Sequence, residues 1–400
     1  MKRVYLAQVN NSYGNNAFLP YSAGLLWAHA SSDVRVNRSY ELGEMLFLRE
    51  DVNAVIDRMI NPAVLALSCY IWNWSYNLEL ARLVKVRWPA CVVVIGGPEA
   101  PNKSDGFFIE HRCVDVIAHG EGEETFKDLL IALDHGYALS TVRGISYRGA
   151  NDVTVHTASR PRLVDLDDIP SPYTSKLFDA IVESNRDISF HASQETNRGC
   201  PYGCTFCDWG SAVMSKVRQF GDDRLLSEID WFGSKGIDLI YNCDANYGIL
   251  KRDVDITRYM ASAKHKYGGY PNKFRAAYAK KSDDKVFEIA KMLNNANMSK
   301  GITLSMQSMD LDTLGNVKRS NIKVSDFSGL LDRYREAGIP TYTEVIVGLP
   351  GETLDSFKDG IGEIMEAGQH DNISIYMCML LRNSEMATPD YMVKHGIRTK

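Results

Sequence analysis

Short apolar, β-branched runs alternate with segments of helical period through the first third of the chain. VYLAQV (4–9), VLALSCYIW (64–72), CVVVIGG (91–97) and VDVIAHG (114–120) each end in turn residues and read as buried strands. Between them PYSAGLLWAHA, DVNAVIDRMI, NWSYNLELARLVKVRW and EETFKDLLIALDHG carry apolar residues at helical spacing. Strands that alternate with helices need crossover connections, so residues 1–140 are expected to form a parallel, doubly wound α/β sheet. GISYRGANDVTVHTA reads as a hairpin turning at Gly149 to Asp152, and the proline-rich RPRLVDLDDIPSPY as a linker, together filling 141–187.

The alternation resumes at residue 188. Strands are expected at ISFHASQET, DLIYNCD (238–244), NKFRAAYA (272–279), KGITLSMQ (300–307), PTYTEVIVG (340–348) and NISIYMCML (372–380). Helical segments between them include DDRLLSEIDWFGSKG, KVFEIAKMLNNA, VSDFSGLLDRYREAG and ETLDSFKDGIGEIMEAG. Six such units predict a partial (β/α)6 barrel over 188–385, followed by a tail, 386–400, that is either compact or cut short.

In both architectures ligands gather beyond the carboxyl ends of the strands. In the first domain those turns are NNSYGNN (10–16), SCYIWN (68–73), GGPEAP (96–101) and HGEGEE (119–124); Gly96, Gly97, Gly120 and Gly122 would let backbone approach a bulky ligand closely. The same turns also suit plain strand endings, with the acidic residues complementing a helix dipole. In the second domain the strand ends bring up Asp244 and Asn246, Gln307 and Ser308, and Gly348 to Glu352.

Composition narrows the class. The 400 residues are 45% hydrophobic and 24% charged, with a net charge of -5, so an ordinary globular chain is expected, with no basic surface for nucleic acid. No apolar run suits a bilayer, and MKRVYLAQVN turns polar too early for a secretory signal, which points to the cytoplasm. The eight cysteines should then be reduced, five of them as small core residues.

The remaining three sit in GCPYGCTFCDWG (199–210) with C-x₃-C-x₂-C spacing: Cys200, Cys204 and Cys207. One tight loop can turn these thiolates toward one centre, and soft sulfur selects an iron–sulfur cluster, zinc or copper(I). Three thiolates are one ligand short of a closed site; zinc would need His191 or Asp208 as a fourth.

With an aromatic, Phe206, just before the third cysteine, and a loop that follows the first strand of a βα repeat, the chain resembles the radical S-adenosylmethionine superfamily. The resemblance implies a 4Fe–4S cluster on the three cysteines, its fourth iron left to the amino and carboxylate groups of S-adenosylmethionine. ITLSMQSMD with Arg319, and VIVGLPGET, are similar to the family's fourth- and fifth-strand regions, and NCDANYG holds the place of its second-strand motif without the usual glycine and glutamate. On that likeness Phe206, Asp244, Asn246, Ser305, Gln307, Arg319 and Gly348 are expected at S-adenosylmethionine. The implied chemistry is one-electron: a reduced cluster cleaves the sulfonium and a deoxyadenosyl radical takes hydrogen from an unactivated position.

A flavodoxin-like, Rossmann-like sheet ahead of such a barrel is similar to the cobalamin-binding domain of the cobalamin-dependent members. This implies cobalamin contacts from Asn10, Ser68, Tyr70, Gly96, Gly97, Glu99, Gly120, Glu121, Gly122 and Glu123, without a histidine from the absent D-x-H-x-x-G signature. The expected function is methylation of an unactivated carbon, or of phosphorus, in a small-molecule or peptide substrate, with flavodoxin or ferredoxin as electron donor. Three alternatives stay open: a cobalamin-dependent cyclase or rearrangement enzyme, a tRNA methylthiotransferase-like enzyme using Cys69, Cys91 and Cys113 for a second cluster, and a non-catalytic binding module. Cys69 and Cys91 lie toward opposite ends of neighbouring predicted strands, which argues against the second cluster.

Overall fold

The structure, a computed structural model, describes residues 1–209, 213–280 and 284–399. It divides into two compact units, Met1–Ala192 and Ser193–Lys400.

In the first unit, Lys2–Ala7, Tyr40–Leu46, Pro62–Ser68, Val92–Gly96 and Val116–Ala118 pair in parallel, with Tyr40–Leu46 on one side of Lys2–Ala7 and Pro62–Ser68 on the other. That is the flavodoxin order, with its topological switch beside Lys2–Ala7. Val64, Leu65, Leu67, Val93 and Ile95 are buried, as strands covered on both faces require. The helices begin where local chemistry supplies caps. Asp51 accepts from Asn53 N and Ala54 N to start Val52–Arg58, and Glu123–His135 ends at Gly136 in the left-handed region, φ 68°.

Two features depart from the sequence reading. Tyr40–Leu46 is a strand that no apolar run announces. The expected hairpin forms from Ile145–Arg148 and Thr154–His156, but instead of standing apart from the first domain it extends the sheet antiparallel from Val116–Ala118. A buried hydroxyl clamps it: Ser146 Oγ lies 2.7 Å from His119 Nε2 and 2.8 Å from His156 Nδ1.

In the second unit the six expected strands appear as Ser189–Gln194, at the unit boundary, Leu239–Asn242, Lys273–Arg275, Ile302–Gln307, Thr341–Val347 and Asn372–Met377. Leu239–Asn242 pairs in parallel with Lys273–Arg275, and Cys243 N donates to Gln194 O at 2.7 Å. The last three strands form a second parallel sheet, giving an open, partial barrel. Its outer core joins Ile302, Leu304 and Met306 to Phe327, Leu331, Tyr334 and Ile364 on the surrounding helices. Thr353 and Ser356 form a reciprocal cap at the start of Leu354–Glu366.

Candidate functional site

The cysteine loop leaves the first barrel strand and is bracketed by a small antiparallel pair, Asn197–Arg198 with Arg218–Gln219. Arg252 ties its base, donating to Phe220 O at 2.6 Å and to Thr196 O at 2.7 Å. Gly199 has φ 126°, and a Cβ there would run into the Lys216 carbonyl, so the residue before Cys200 must be glycine. Ser215 N donates to Cys200 O at 2.8 Å and Cys207 N to Cys204 O at 3.1 Å, fixing the turns that carry the thiols. Gly210, the last residue of the motif as read from sequence, lies outside the described residues.

Cys200 and Cys204 are buried. Burial pushes the Cys207 thiol up to about 11, and the neighbouring Cys204 and Cys200 push the same way. In the bare loop Cys207 therefore keeps its proton, which a metal centre would displace. Among the described residues no three His, Cys, Asp or Glu side chains converge as a single ion requires. His191, considered as a fourth zinc ligand, packs edge-on against Phe18 at 5.1 Å. Three thiolates on one loop are the soft donor set that a cluster takes, each cysteine binding a different iron.

Polar side chains from the following strand ends approach the sulfurs. Asn246 Nδ2 donates to Cys200 Sγ at 3.3 Å, and Lys280 Nζ to Cys204 Sγ at 2.8 Å. The ammonium of Lys280 also lies 4.1 Å from the centre of the Tyr202 ring. Arg319 is buried, which lowers its pKa, while Cys204 and Cys207 pull it back up; its Nε donates to Asn321 Oδ1 at 2.9 Å and its Nη2 to Ser305 O.

The other candidates are held as follows. Phe206 packs on Val317, Leu349, Met386 and Tyr391, so the segment after the sixth strand docks on the cysteine loop. Both oxygens of the fully buried Asp244 accept from Thr196 and Asn197, while burial pushes its pKa up to about 7. Ser305 Oγ donates to Glu344 Oε2 at 2.8 Å. Gln307 closes its strand at φ 67°, where the pairing register shifts, and Gly348 has φ 90°. A non-glycine residue in that region stores of order 1 kcal/mol or more.

In the first unit, Asn10 N donates to Phe47 O at 3.3 Å and Ser68 Oγ lies 3.1 Å from Ser22 Oγ. Asn73 shapes the SCY turn by accepting from Tyr70 N at 2.8 Å and donating to Ser68 O at 2.9 Å and Val9 O at 3.0 Å. Tyr70 stacks on the exposed Trp72, centroids 4.6 Å apart. The Gly96–Gly97 turn abuts the Cys69 backbone: Cys69 N donates to Gly96 O at 2.7 Å, and Glu99 N to Cys69 O at 3.0 Å. Gly120 has φ 69° with open space where a Cβ would go; Glu121 accepts from Leu163 N at 3.0 Å. Gly122 caps the helix that buries Glu123 in its first turn. Burial pushes the Cys91 thiol up to about 12, as for a core residue.

Sequence reasoning missed Lys280, and within the expected SCYIWN turn it did not single out Trp72 or Asn73. Lys280 follows the third barrel strand in AAYAKK, and that strand-end position was its only local signal.

Comparison with known proteins agrees with this geometry. Residues 195–363 match the model of the radical SAM superfamily. The chain is 42% identical over 403 residues to the cobalamin-dependent radical SAM methyltransferase TokK of Streptomyces tokunonensis, covering 100% of this chain and 58% of that protein. It is 45% identical over 388 residues to 2-(S-pantetheinyl)-carbapenam-3-carboxylate methyltransferase of Streptantibioticus cattleyicolor, covering 96% and 56%. The chain thus spans less than two thirds of the length of these relatives. In fold it is similar to the methyltransferase TsrM of Kitasatospora setae, solved with cobalamin and a 4Fe–4S cluster, with TM-score 0.74 and 17% identity over 100% of this chain and 76% of that one. A second fold relative is OxsB, a cobalamin-dependent radical enzyme solved with aqua-cobalamin and S-adenosylmethionine, with TM-score 0.69 and 18% identity over 99% and 56%. Residues 195–363 thus match the radical SAM superfamily, and the two methyltransferases are similar to the chain over nearly all of its own length.

Proposed function

We propose that the protein is a cobalamin-dependent radical S-adenosylmethionine methyltransferase acting on an unactivated carbon of a small molecule. The observation that carries this is the 42–45% identity, over nearly the whole chain, to two methyltransferases, one named for a carbapenam carboxylate. The cysteine loop supports it, with three buried or half-buried thiols and nitrogen donors turned toward two of the sulfurs.

Cys200, Cys204 and Cys207 would hold the cluster; Ser305, Gln307 and Gly348 stand at strand ends where S-adenosylmethionine would lie, and Arg319, just beyond the helix Leu311–Asn316, reaches the same place by donating to Ser305 O. Cobalamin fits the first unit's strand ends: the stacked Tyr70 and Trp72 offer an apolar face to a flat macrocycle, and the open, left-handed Gly120 allows close backbone approach. Bound together, these groups supply one-electron cleavage of S-adenosylmethionine and transfer of its methyl group. The protein's part is orientation and exclusion of water: burial of Cys200 and Cys204 keeps solvent from their sulfurs, and the hydrogen-bonded turns hold the loops in place. A cluster of this kind needs reduced thiols and an electron source, which favours the cytoplasm and a flavodoxin or ferredoxin donor.

The test is anaerobic turnover of the reconstituted full chain with methyl-labelled S-adenosylmethionine and 2-(S-pantetheinyl)-carbapenam-3-carboxylate. Label in the carbapenam product, with deoxyadenosine and S-adenosylhomocysteine both formed, is expected. Deoxyadenosine without label transfer would replace methylation with a rearrangement, and absence of both by-products would leave a binding module.

A further inference from the structure

Lys280 is a cation with an unusual anchorage. It lies in the loop after the third barrel strand, five residues past Arg275, and its ammonium reaches back to the loop after the first strand, 2.8 Å from Cys204 Sγ. Tyr202, between Cys200 and Cys204 in that loop, places its ring 4.1 Å below the same ammonium. Among the described residues no carboxylate is paired with Lys280. The loop thus carries both the sulfur and the platform that holds a positive charge against it. Asn246 makes a neutral version of the contact at Cys200, 3.3 Å away.

A donor to a cluster sulfur acts on the iron through the thiolate. Reduction adds one electron, drawn from an external reductant such as dithionite, and leaves the cluster one unit more negative. An ammonium beside a ligating sulfur stabilises that state more than the oxidised one, and hydrogen bonds to sulfur act in the same direction. The contact is short and half-buried, where charge is screened less than at the surface.

We propose that Lys280, docked on the Tyr202 ring, is a positioning residue that donates to Cys204 and raises the reduction potential of the cluster held by the three cysteines. This rests on the cluster reading of the cysteine loop. The competing role for a lysine here is to bind the carboxylate of S-adenosylmethionine, and the two differ in what they move: one changes a potential without any cosubstrate, the other changes an affinity.

The experiment is a redox titration of the anaerobically reconstituted full chain, followed by electron paramagnetic resonance without S-adenosylmethionine, beside a measurement of S-adenosylmethionine binding. K280Q should lower the equilibrium constant for reduction roughly tenfold, about 59 mV for a one-electron couple. K280R should stay close to wild type, since it keeps the charge. Y202F, which keeps the ring, should be silent, and Y202L should shift the potential in the direction of K280Q. S-adenosylmethionine affinity should be unchanged in K280Q. An unchanged potential in K280Q overturns the proposal, as does a loss of S-adenosylmethionine binding at constant potential. So does cluster loading that fails in K280Q and survives in K280R, which would make the contact one of assembly. A wild-type chain that takes up no cluster would instead overturn the cysteine-loop reading itself.

Discussion

At the scale of single residues, burial and backbone donors compete over carboxyl groups near the second barrel strand. Asp253 is fully buried; Gly248 N and Leu250 N donate to its Oδ2 at 2.8 and 3.0 Å, yet burial still pushes its pKa up to about 6. The unfolded chain releases this proton near pH 3.8, so between there and pH 6 the native state holds more protons and stability falls as pH rises. Two pH units of differential binding amount to ~3 kcal/mol. In urea unfolding followed between pH 4 and 7, wild type should lose that much relative to D253N, whose amide keeps an acceptor and does not titrate. A difference that stays flat would show that Asp253 is ionised throughout. Asp244 has four donors rather than two, so its removal would strand more hydrogen-bonding groups in the interior.

At the scale of elements, two glycines at strand ends share a positive φ but differ in their surroundings. A Cβ at Gly97 would lie 2.8 Å from the Cys69 carbonyl oxygen, whereas at Gly120 it would meet open space. Left-handed backbone costs either alanine variant ~1–2 kcal/mol. G97A carries a backbone clash as well, so chemical denaturation should show it less stable than G120A. G120A should lose more affinity for cobalamin than G97A, since its new methyl group occupies the open side; equal losses of stability would remove the distinction. Such contrasts explain what the sequence disclosed. Buried strands such as Val92–Gly96 announce themselves by unbroken β-branched runs, and cysteine spacing is local, so the parallel, doubly wound character of the sheet and the cysteine loop were legible. Tyr40–Leu46 was not, because YELGEML places glycine and glutamate among its apolar residues at the sheet edge. Nor was Lys280, whose meaning lies in a ring and a sulfur on another loop. Asp244 was legible as a polar strand-end residue, but its hydrogen bonds to Thr196 and Asn197 depend on how neighbouring strands are paired, which no local pattern encodes.

At the scale of the whole molecule, each unit presents loops at the ends of parallel strands, from a flavodoxin-ordered sheet in Met1–Ala192 and from the two parallel sheets of an open, partial barrel in Ser193–Lys400. Among the described residues no helix is long and apolar enough to cross a membrane. The relatives that share this plan are longer than the chain, so the substrate is to be tested on the protein rather than inferred from its fold. The chemistry proposed for both units depends on what the thiols of Cys200, Cys204 and Cys207 hold. The direct test is metal and sulfide analysis of anaerobically purified full chain, with electron paramagnetic resonance of the reduced protein before and after S-adenosylmethionine is added. The account predicts iron and sulfide in equal amounts, and a signal that changes on addition of S-adenosylmethionine and is lost when Cys200, Cys204 and Cys207 are replaced by alanine. Zinc in place of iron, or a cluster signal indifferent to S-adenosylmethionine, would contradict it.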